Sequence, residues 1–335
     1  MKKIMFFRSL ISLGGTEIAI LNLIKKLDKQ KYEIYIGYDD ETSSRDLLDR
    51  FRECAKVVNV KDGIDIEFDS FVVCTTRYHL LPSVSLIKRK KTILWVHYLM
   101  KQETSALRII EETEKLDYII SVSKTLTKKL ESMYPYLKGK IRTVYNVLND
   151  DEIKTQSNEP IQLELSNTLN LVTVARVCKA KGYERMLYLA KYLKDANIDF
   201  KWFIAGGNYH KDEMDDILKK YESYKDNFVW FGFIDNPHNI VKQCDYTVLL
   251  SDEETWGLVL TEAMLLGVPC ISTDFEVAFE QIRDKENGII LSRDNLESYK
   301  ERINDIVLNK DKYKKVVSNF EYKNADILKE WSEIL

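Results

Sequence analysis

Short runs of β-branched and aromatic residues alternate along the chain with amphipathic stretches of helical period, the pattern of parallel sheets with crossover helices. The pattern occurs twice. In the first half KIMFFRS, YEIYIGY, KVVNV, SFVVCTT, TILWVHY, YIISVS and IRTVYN read as strands, with GTEIAILNLIKKLDK and KTLTKKLESMYP among the helices between them. LNLVTVARV restarts the series, followed by FKWFIAGG, NFVWFGF, YTVLLS, PCIST and GIILS. The expectation is an α/β protein of two doubly wound domains, residues 1–150 and 151–318. VLNDDEIKTQSNEPIQLELSNT, residues 147–168, is polar, contains a proline and reads as the linker. The end of the chain, 319–335, reads as a helix with a Leu, Trp and Ile face, for which the first domain is a candidate partner.

Composition agrees with two cores, since 335 residues with 45% hydrophobic content exceed the usual size of one domain. No apolar run reaches the roughly 18 to 20 residues of a membrane span. The start, MKKIMFFRSLISLGG, is interrupted by Arg8 and lacks a small-residue cleavage signature, so a cytoplasmic protein is expected. Cys54, Cys74, Cys178, Cys244 and Cys270 are scattered without CxxC spacing and suggest neither a disulfide framework nor a zinc site.

Net charge is −3, yet residues 1–150 hold 26 basic and 20 acidic side chains against 24 and 33 in the remainder, giving halves of +6 and −9. The first half either faces an anionic partner, such as a phosphate-bearing lipid, or has an uneven solvated surface. A sequence pI near 6.0 and the absence of a known module exclude a nucleic-acid binder.

In doubly wound sheets ligands bind beyond the carboxyl ends of the strands, so each strand-to-helix turn is a candidate site. Gly14 and Gly15 lie between the first strand and an apolar helix, where glycine removes bulk and permits positive φ. Glu17 there also suits the helix dipole, by about 0.3 to 1 kcal/mol. Arg176 ends a strand and Lys181 precedes the Gly182 that opens a helix. A fork and a point charge together suit a diphosphate, whereas cations alone oppose the dipole at a helix start. SDEETWGLVLTEAMLLGVPC, residues 251–270, runs Asp252, Glu253 and Glu254 into an apolar helix that carries Glu262. A carboxylate among such neighbours calls for hydroxyl or amide donors. The pair suits a polyhydroxylated ligand whose phosphates lie at the helix N-terminus.

These residues resemble the GT-B glycosyltransferases, specifically the retaining group 1 enzymes classed as glycosyltransferase family 4. The family's EGFGLVLLEAM stands here as ETWGLVLTEAMLLGVP, its phosphate-clamping arginine and lysine as Arg176 and Lys181, its first glycine loop as LGGTE, and its TVIPNG-like strand end as TVYNVL. The resemblance covers nearly the whole chain. It implies two Rossmann-like domains facing a cleft, the first for the acceptor and the second for a nucleotide sugar. Arg176 and Lys181 would hold the diphosphate with the backbone of Gly257, Leu258 and Val259, and Gly15 beside Gly14 would approach it from the other domain. Glu254 would meet the donor sugar, Glu262 the ribose, and Phe233 the base. His97 would reach the sugar or its phosphate, or else is a core histidine.

The implied reaction is transfer of a hexose-type sugar from a nucleoside diphosphate sugar, UDP-sugar foremost, with retention and without a metal or other cofactor. The implied acceptor is a glycan or a lipid-linked sugar in bacterial cell-surface polysaccharide synthesis. Lys88, Arg89, Lys90 and Lys91, with Lys124, Lys128 and Lys129, could meet an anionic inner membrane face, or serve as a solvated helix end. ETWG departs from EGFG and puts the donor sugar in question. A sugar-nucleotide epimerase, a phosphorylase and a non-catalytic sugar-binding protein of the same architecture remain alternatives.

Overall fold

The computed structural model describes residues 1–74, 87–98, 116–207, 215–216 and 219–335. They form two compact units, Met1–Asn149 with Lys323–Leu335, and Asp150–Tyr322.

The first unit is built on seven strands, β1 (Lys2–Phe7), β2 (Tyr32–Tyr38), β3 (Lys56–Asn59), β4 (Ser70–Val73), β5 (Thr92–Val96), β6 (Tyr118–Ser121) and β7 (Ile141–Thr143). Their order is β3-β2-β1-β4-β5-β6-β7 and every pair is parallel. Phe6 lies beside Ile36 on one neighbour and Val72 on the other. Residues 4–7, all of β4 and all of β5 are buried, so these central strands read as continuous apolar runs rather than alternating ones. The helices include α1 (Gly15–Lys26), α2 (Arg45–Arg52) and α3 (Lys124–Met133). The last two residues of the expected strand SFVVCTT lie outside the described residues.

The second unit begins with α4 (Asp150–Gln156), inside the stretch expected to be a linker. Asp150, Asp151 and Glu152 complement the dipole in its first turn, Lys154 does so in the last, and Ile153 is buried. One apolar anchor is enough to dock this short helix, which a reading by average polarity misses. Six strands follow, β8 (Leu169–Val174), β9 (Phe200–Ala205), β10 (Phe228–Gly232), β11 (Tyr246–Leu249), β12 (Cys270–Thr273) and β13 (Gly288–Leu291), ordered β10-β9-β8-β11-β12-β13 and all parallel. In the core of the sheet Trp202 Nε1 donates to Thr173 Oγ1 at 3.0 Å, and that hydroxyl donates to the Val248 carbonyl at 3.0 Å. The described helices are α5 (Tyr183–Asp195), α6 (His238–Val241), α7 (Leu258–Leu265), α8 (Ala278–Gln281), α9 (Tyr299–Leu308) and α10 (Lys310–Val317). The unit runs to Tyr322 rather than 318.

The terminal helix α11 (Asn324–Ile334) belongs to the first unit. It buries Ile327, Trp331 and Ile334, and the Trp331 ring stands edge-on to Trp95 at 4.7 Å between centroids and to Phe6 at 6.5 Å. Asn324 exchanges two hydrogen bonds with the backbone of Leu148, at 2.9 and 3.0 Å. The second unit is therefore an insertion into the first, and its two chain crossings are tied together at Leu148 and Asn324.

Candidate active site

At the carboxyl end of β11 the chain turns through 250–257 into α7. Gly257, at φ 79° and ψ 65°, is the residue before the helix, and no side chain caps it. That left-handed conformation favours glycine. No acidic residue stands in the first turn of α7. Its leading N–H groups and the positive end of its dipole thus have no carboxylate of their own, and an anion suits them.

A second turn presses against the first. Gly182, at φ 70°, precedes α5, and a Cβ on it would lie 1.8 Å from the Leu250 carbonyl oxygen. Asp252 N–H donates to the Ala180 carbonyl at 2.9 Å. This close approach puts Lys181 beside Glu254. Glu254 Oε1 accepts from Lys181 Nζ at 2.6 Å and from Ser251 Oγ at 2.7 Å, with the lysine 20% and the glutamate 14% exposed. Lys181 is therefore an ion-pair partner of Glu254 in addition to being a cation at a helix start. An ammonium has three donors, so it can hold the carboxylate and still reach a phosphate oxygen.

Asp252 is no mere solvated acid. Arg185 Nη2 is 2.6 Å from its carboxylate, and Arg185 Nη1 donates to the Leu250 carbonyl at 3.2 Å. Arg293 Nη1 donates to the Asp252 carbonyl at 2.7 Å, while Arg293 Nε pairs with Asp274 at 2.9 Å. Two arginines that the sequence reading missed thus pin the loop that carries Glu254. Trp256 is buried, and its carbonyl accepts from the Gln281 side chain, which also accepts from Thr261 Oγ1 at 2.7 Å. The tryptophan of ETWG fills protein core.

Arg176 stands exposed just beyond β8. The neighbouring strand ends lie flush, because Ala175 N–H bonds to the Ala205 carbonyl at 3.1 Å, Val177 N–H to Gly207 at 3.0 Å, and Gly206 N–H to Gly232 at 2.7 Å. A Cβ on Gly206 would sit 1.8 Å from the Ala175 carbonyl oxygen. Phe233 follows Gly232 and is 54% exposed at this edge. The Gly206–Gly207 pair repeats the Gly14–Gly15 pattern of two glycines after an apolar strand, here with a close backbone approach.

Glu262 is half-buried on α7, while Leu260, Ala263 and Met264 take the core face. The side chain that faces it within the unit is an imidazole. His238 Nε2 lies 3.7 Å from Glu262 Oε2, and His238 Nδ1 lies 3.0 Å from Gln156 Oε1.

The first unit carries its own cluster at the carboxyl ends of β1, β4 and β5. Gly14 is extended at φ −169°, and Gly15 is not left-handed, so the freedom expected of the pair is unused. What Gly14 supplies is room, since a Cβ there would meet Glu17 Oε2 at 3.1 Å; around Gly15 the space is open. Glu17 is 2% exposed and accepts from Arg8 Nε at 2.9 Å, and Arg8 Nη1 reaches the Cys74 carbonyl at 3.1 Å. Glu17 stands in the first turn of α1, where the dipole favours it, and also holds the partly buried Arg8 guanidinium. The His97 ring is 4.4 Å from that of Trp95. Burial and the charge of Arg8 push the His97 pKa down to about 3, so its imidazole is neutral and offers a phosphate no charge.

The basic run lies at the other end of this sheet, before β5. Lys88 pairs with Asp65 at 2.7 Å and Lys90 with Asp69 at 2.8 Å, Lys91 Nζ donates to the Ile334 carbonyl at 2.5 Å, and Arg89 lies over the Phe71 ring and bonds Thr92 Oγ1 at 2.9 Å. Each of these cations has a partner within the unit, while Lys88 and Lys90 stay largely exposed.

A family model described as Glycosyl transferases group 1 matches residues 155–322. A 41.2 kDa protein of the cps region of Klebsiella pneumoniae is 33% identical over 163 residues, 46% of this chain and 42% of that relative's length. An uncharacterized glycosyltransferase of Haemophilus influenzae is 21% identical over the full length of both chains. Among solved structures, Anabaena Alr3699/HepE in complex with UDP and glucose superposes with a TM-score of 0.81 at 16% identity, over 99% of each chain. Staphylococcus aureus TarM, in a complex that includes UDP, does so at 0.77 and 14% identity, over 100% of this chain and 99% of that one. These likenesses carry the fold, two parallel doubly wound units of the GT-B type. Half of the chain lies within the family match, including Arg176, Lys181, Glu254, Glu262 and the uncapped start of α7, and the protein belongs to the group 1 glycosyl transferases.

Proposed function

We propose that the protein transfers a hexose-type sugar from a nucleoside diphosphate sugar, a UDP-sugar foremost, to a hydroxyl of a glycan or lipid-linked acceptor, with retention of configuration. The observation that carries this reading is the pair of interlocked turns that brings Lys181, Glu254 and the uncapped start of α7 together. In it, Arg176, Lys181 and the backbone N–H groups at Gly257, Leu258 and Val259 hold the diphosphate. Negative charge grows on that group as the sugar departs, and preorganised donors aimed at it act without a metal ion. Glu254 orients the donor sugar and Glu262 accepts from the ribose hydroxyls. Phe233 offers its exposed ring to the base.

The UDP carried by the HepE and TarM structures supports the choice of nucleotide. The descriptions of two relatives, the O-antigen glycosyltransferase WclY of Escherichia coli and the capsular polysaccharide glycosyltransferase CapM of S. aureus, support cell-surface polysaccharide as the destination.

Thermal-shift titration with UDP, ADP and GDP tests the donor class. UDP at about 100 times its Kd should stabilise by about 2.7 kcal/mol. Arg176→Ala should keep the fold by circular dichroism and lose a hundredfold or more of the turnover of UDP-sugars. Near-normal kinetics in that variant would sink the clamp, and full activity lost to EDTA and restored by a divalent cation would sink metal independence.

A further inference from the structure

We infer that His238 is a positioning residue for Glu262, fixing the carboxylate that the proposed function assigns to the ribose hydroxyls; the inference rests on that assignment.

The ring stands between two helices. Nδ1 is 3.0 Å from Gln156 Oε1 on α4, and Nε2 is 3.7 Å from Glu262 Oε2 on α7. Nε2 is buried and makes no hydrogen bond. A buried ring nitrogen that faces one carboxylate just outside bonding reach and has no other partner is placed to donate to it once the ring proton is on Nε2. Because that nitrogen is shielded, a ligand hydroxyl does not reach it, and its influence passes through Glu262.

The backing is extensive. Asn236 Oδ1 accepts from His238 N–H at 3.1 Å, and Asn236 Nδ2 donates to the Gln156 carbonyl at 2.9 Å and to Glu159 Oε2 at 2.7 Å. The turn before α6 and the end of α4 thus hold the ring from behind. A primary amide can present either its N–H2 or its C=O to Nδ1. Gln156 Oε1 is the amide atom placed on Nδ1; with the amide turned over, its N–H2 donates to Nδ1 and the imidazole proton sits on Nε2, on the side of Glu262. A hydroxyl that draws the other carboxylate oxygen outward needs Glu262 turned by less than 1 Å for Nε2 to donate at about 2.9 Å.

The test is calorimetric binding of UDP and of inorganic diphosphate to the wild type, His238→Ala, His238→Gln, Glu262→Gln and the double variant His238→Ala with Glu262→Gln. His238→Ala should weaken UDP about five- to tenfold, the order expected for one hydrogen bond, and leave diphosphate, which has no ribose, within about twofold. His238→Gln, which keeps a donor, should recover part of the loss. In the Glu262→Gln background the His238→Ala change should cost nothing further. Parallel losses for UDP and diphosphate, or additive losses in the double variant, would overturn the positioning role. If Glu262→Gln leaves UDP affinity unchanged, the ribose assignment itself fails; if Glu262→Gln weakens UDP and His238→Ala does not, only the role of His238 fails.

Discussion

Lys181 and Glu254, 73 positions apart, meet at 2.6 Å beyond the strand ends of the second sheet, and Ser251 Oγ donates to the same carboxylate oxygen at 2.7 Å. The proposed sugar-facing and phosphate-facing groups are therefore one electrostatic unit before any donor arrives. Lys181→Ala should lower kcat about a hundredfold, the order of one lost preorganised donor. Combining it with Glu254→Gln should cost little more than the worse single change, because groups acting as a unit are not additive. Additive losses in steady-state kinetics would separate the two roles.

Gly182 is where the two turns interlock. Alanine there must bear a left-handed φ and put Cβ against the Leu250 carbonyl, backbone on backbone. The expected cost is at least about 2 kcal/mol from strain and overpacking combined. Urea unfolding of Gly182→Ala should show this, with catalysis depressed beyond the fraction unfolded because the Glu254 loop shifts. A variant of wild-type stability would show that the loop yields freely.

His97 gives a pH test with a definite sign. Its folded pKa, near 3, lies below the ordinary 6.5, so between those values the unfolded chain binds the extra proton and stability falls as pH falls. Above about 6.5 the contribution is fully present and flat. Chemical unfolding at pH 7.5 and pH 5.0 should show a loss in the wild type that is reduced in His97→Gln. An imidazole that titrates near 6.5 by NMR would refute the neutral assignment.

Trp331 packs on Trp95 and Phe6 with no exposed surface. Trp331→Ala should destabilise the first unit by about 3 to 5 kcal/mol through the cavity it leaves. Nucleotide binding to the second unit should survive, as read by UDP titration below the melting temperature; loss of both together would mean that the two units do not fold independently.

All thirteen described strands could be read from the chain, because buried parallel strands are continuous apolar runs bounded by turn residues. Both glutamates and the uncapped turn were legible for a local reason, since strand, loop and helix follow one another within twenty residues. Helix α4 was not, as its single buried anchor, Ile153, lies in a stretch whose polarity suggests a loop. Nor were Arg185, Arg293 and His238, whose partners Asp252, Asp274 and Glu262 come close only through sheet order. The acidic partners of the lysine run were hidden for the same reason, because Asp65 and Asp69, which pair with Lys88 and Lys90, are 23 and 21 residues away.

The Asn324–Leu148 tie has a consequence for synthesis. Ile327, Trp331 and Ile334 leave the ribosome after every residue of the second unit, so the first unit begins the chain yet cannot close its core until the second has been made. Vectorial folding therefore runs in reverse order here. For that interval the faces of Phe6 and Trp95 that Trp331 covers are open, and the nascent first unit carries an apolar surface that only the last helix removes.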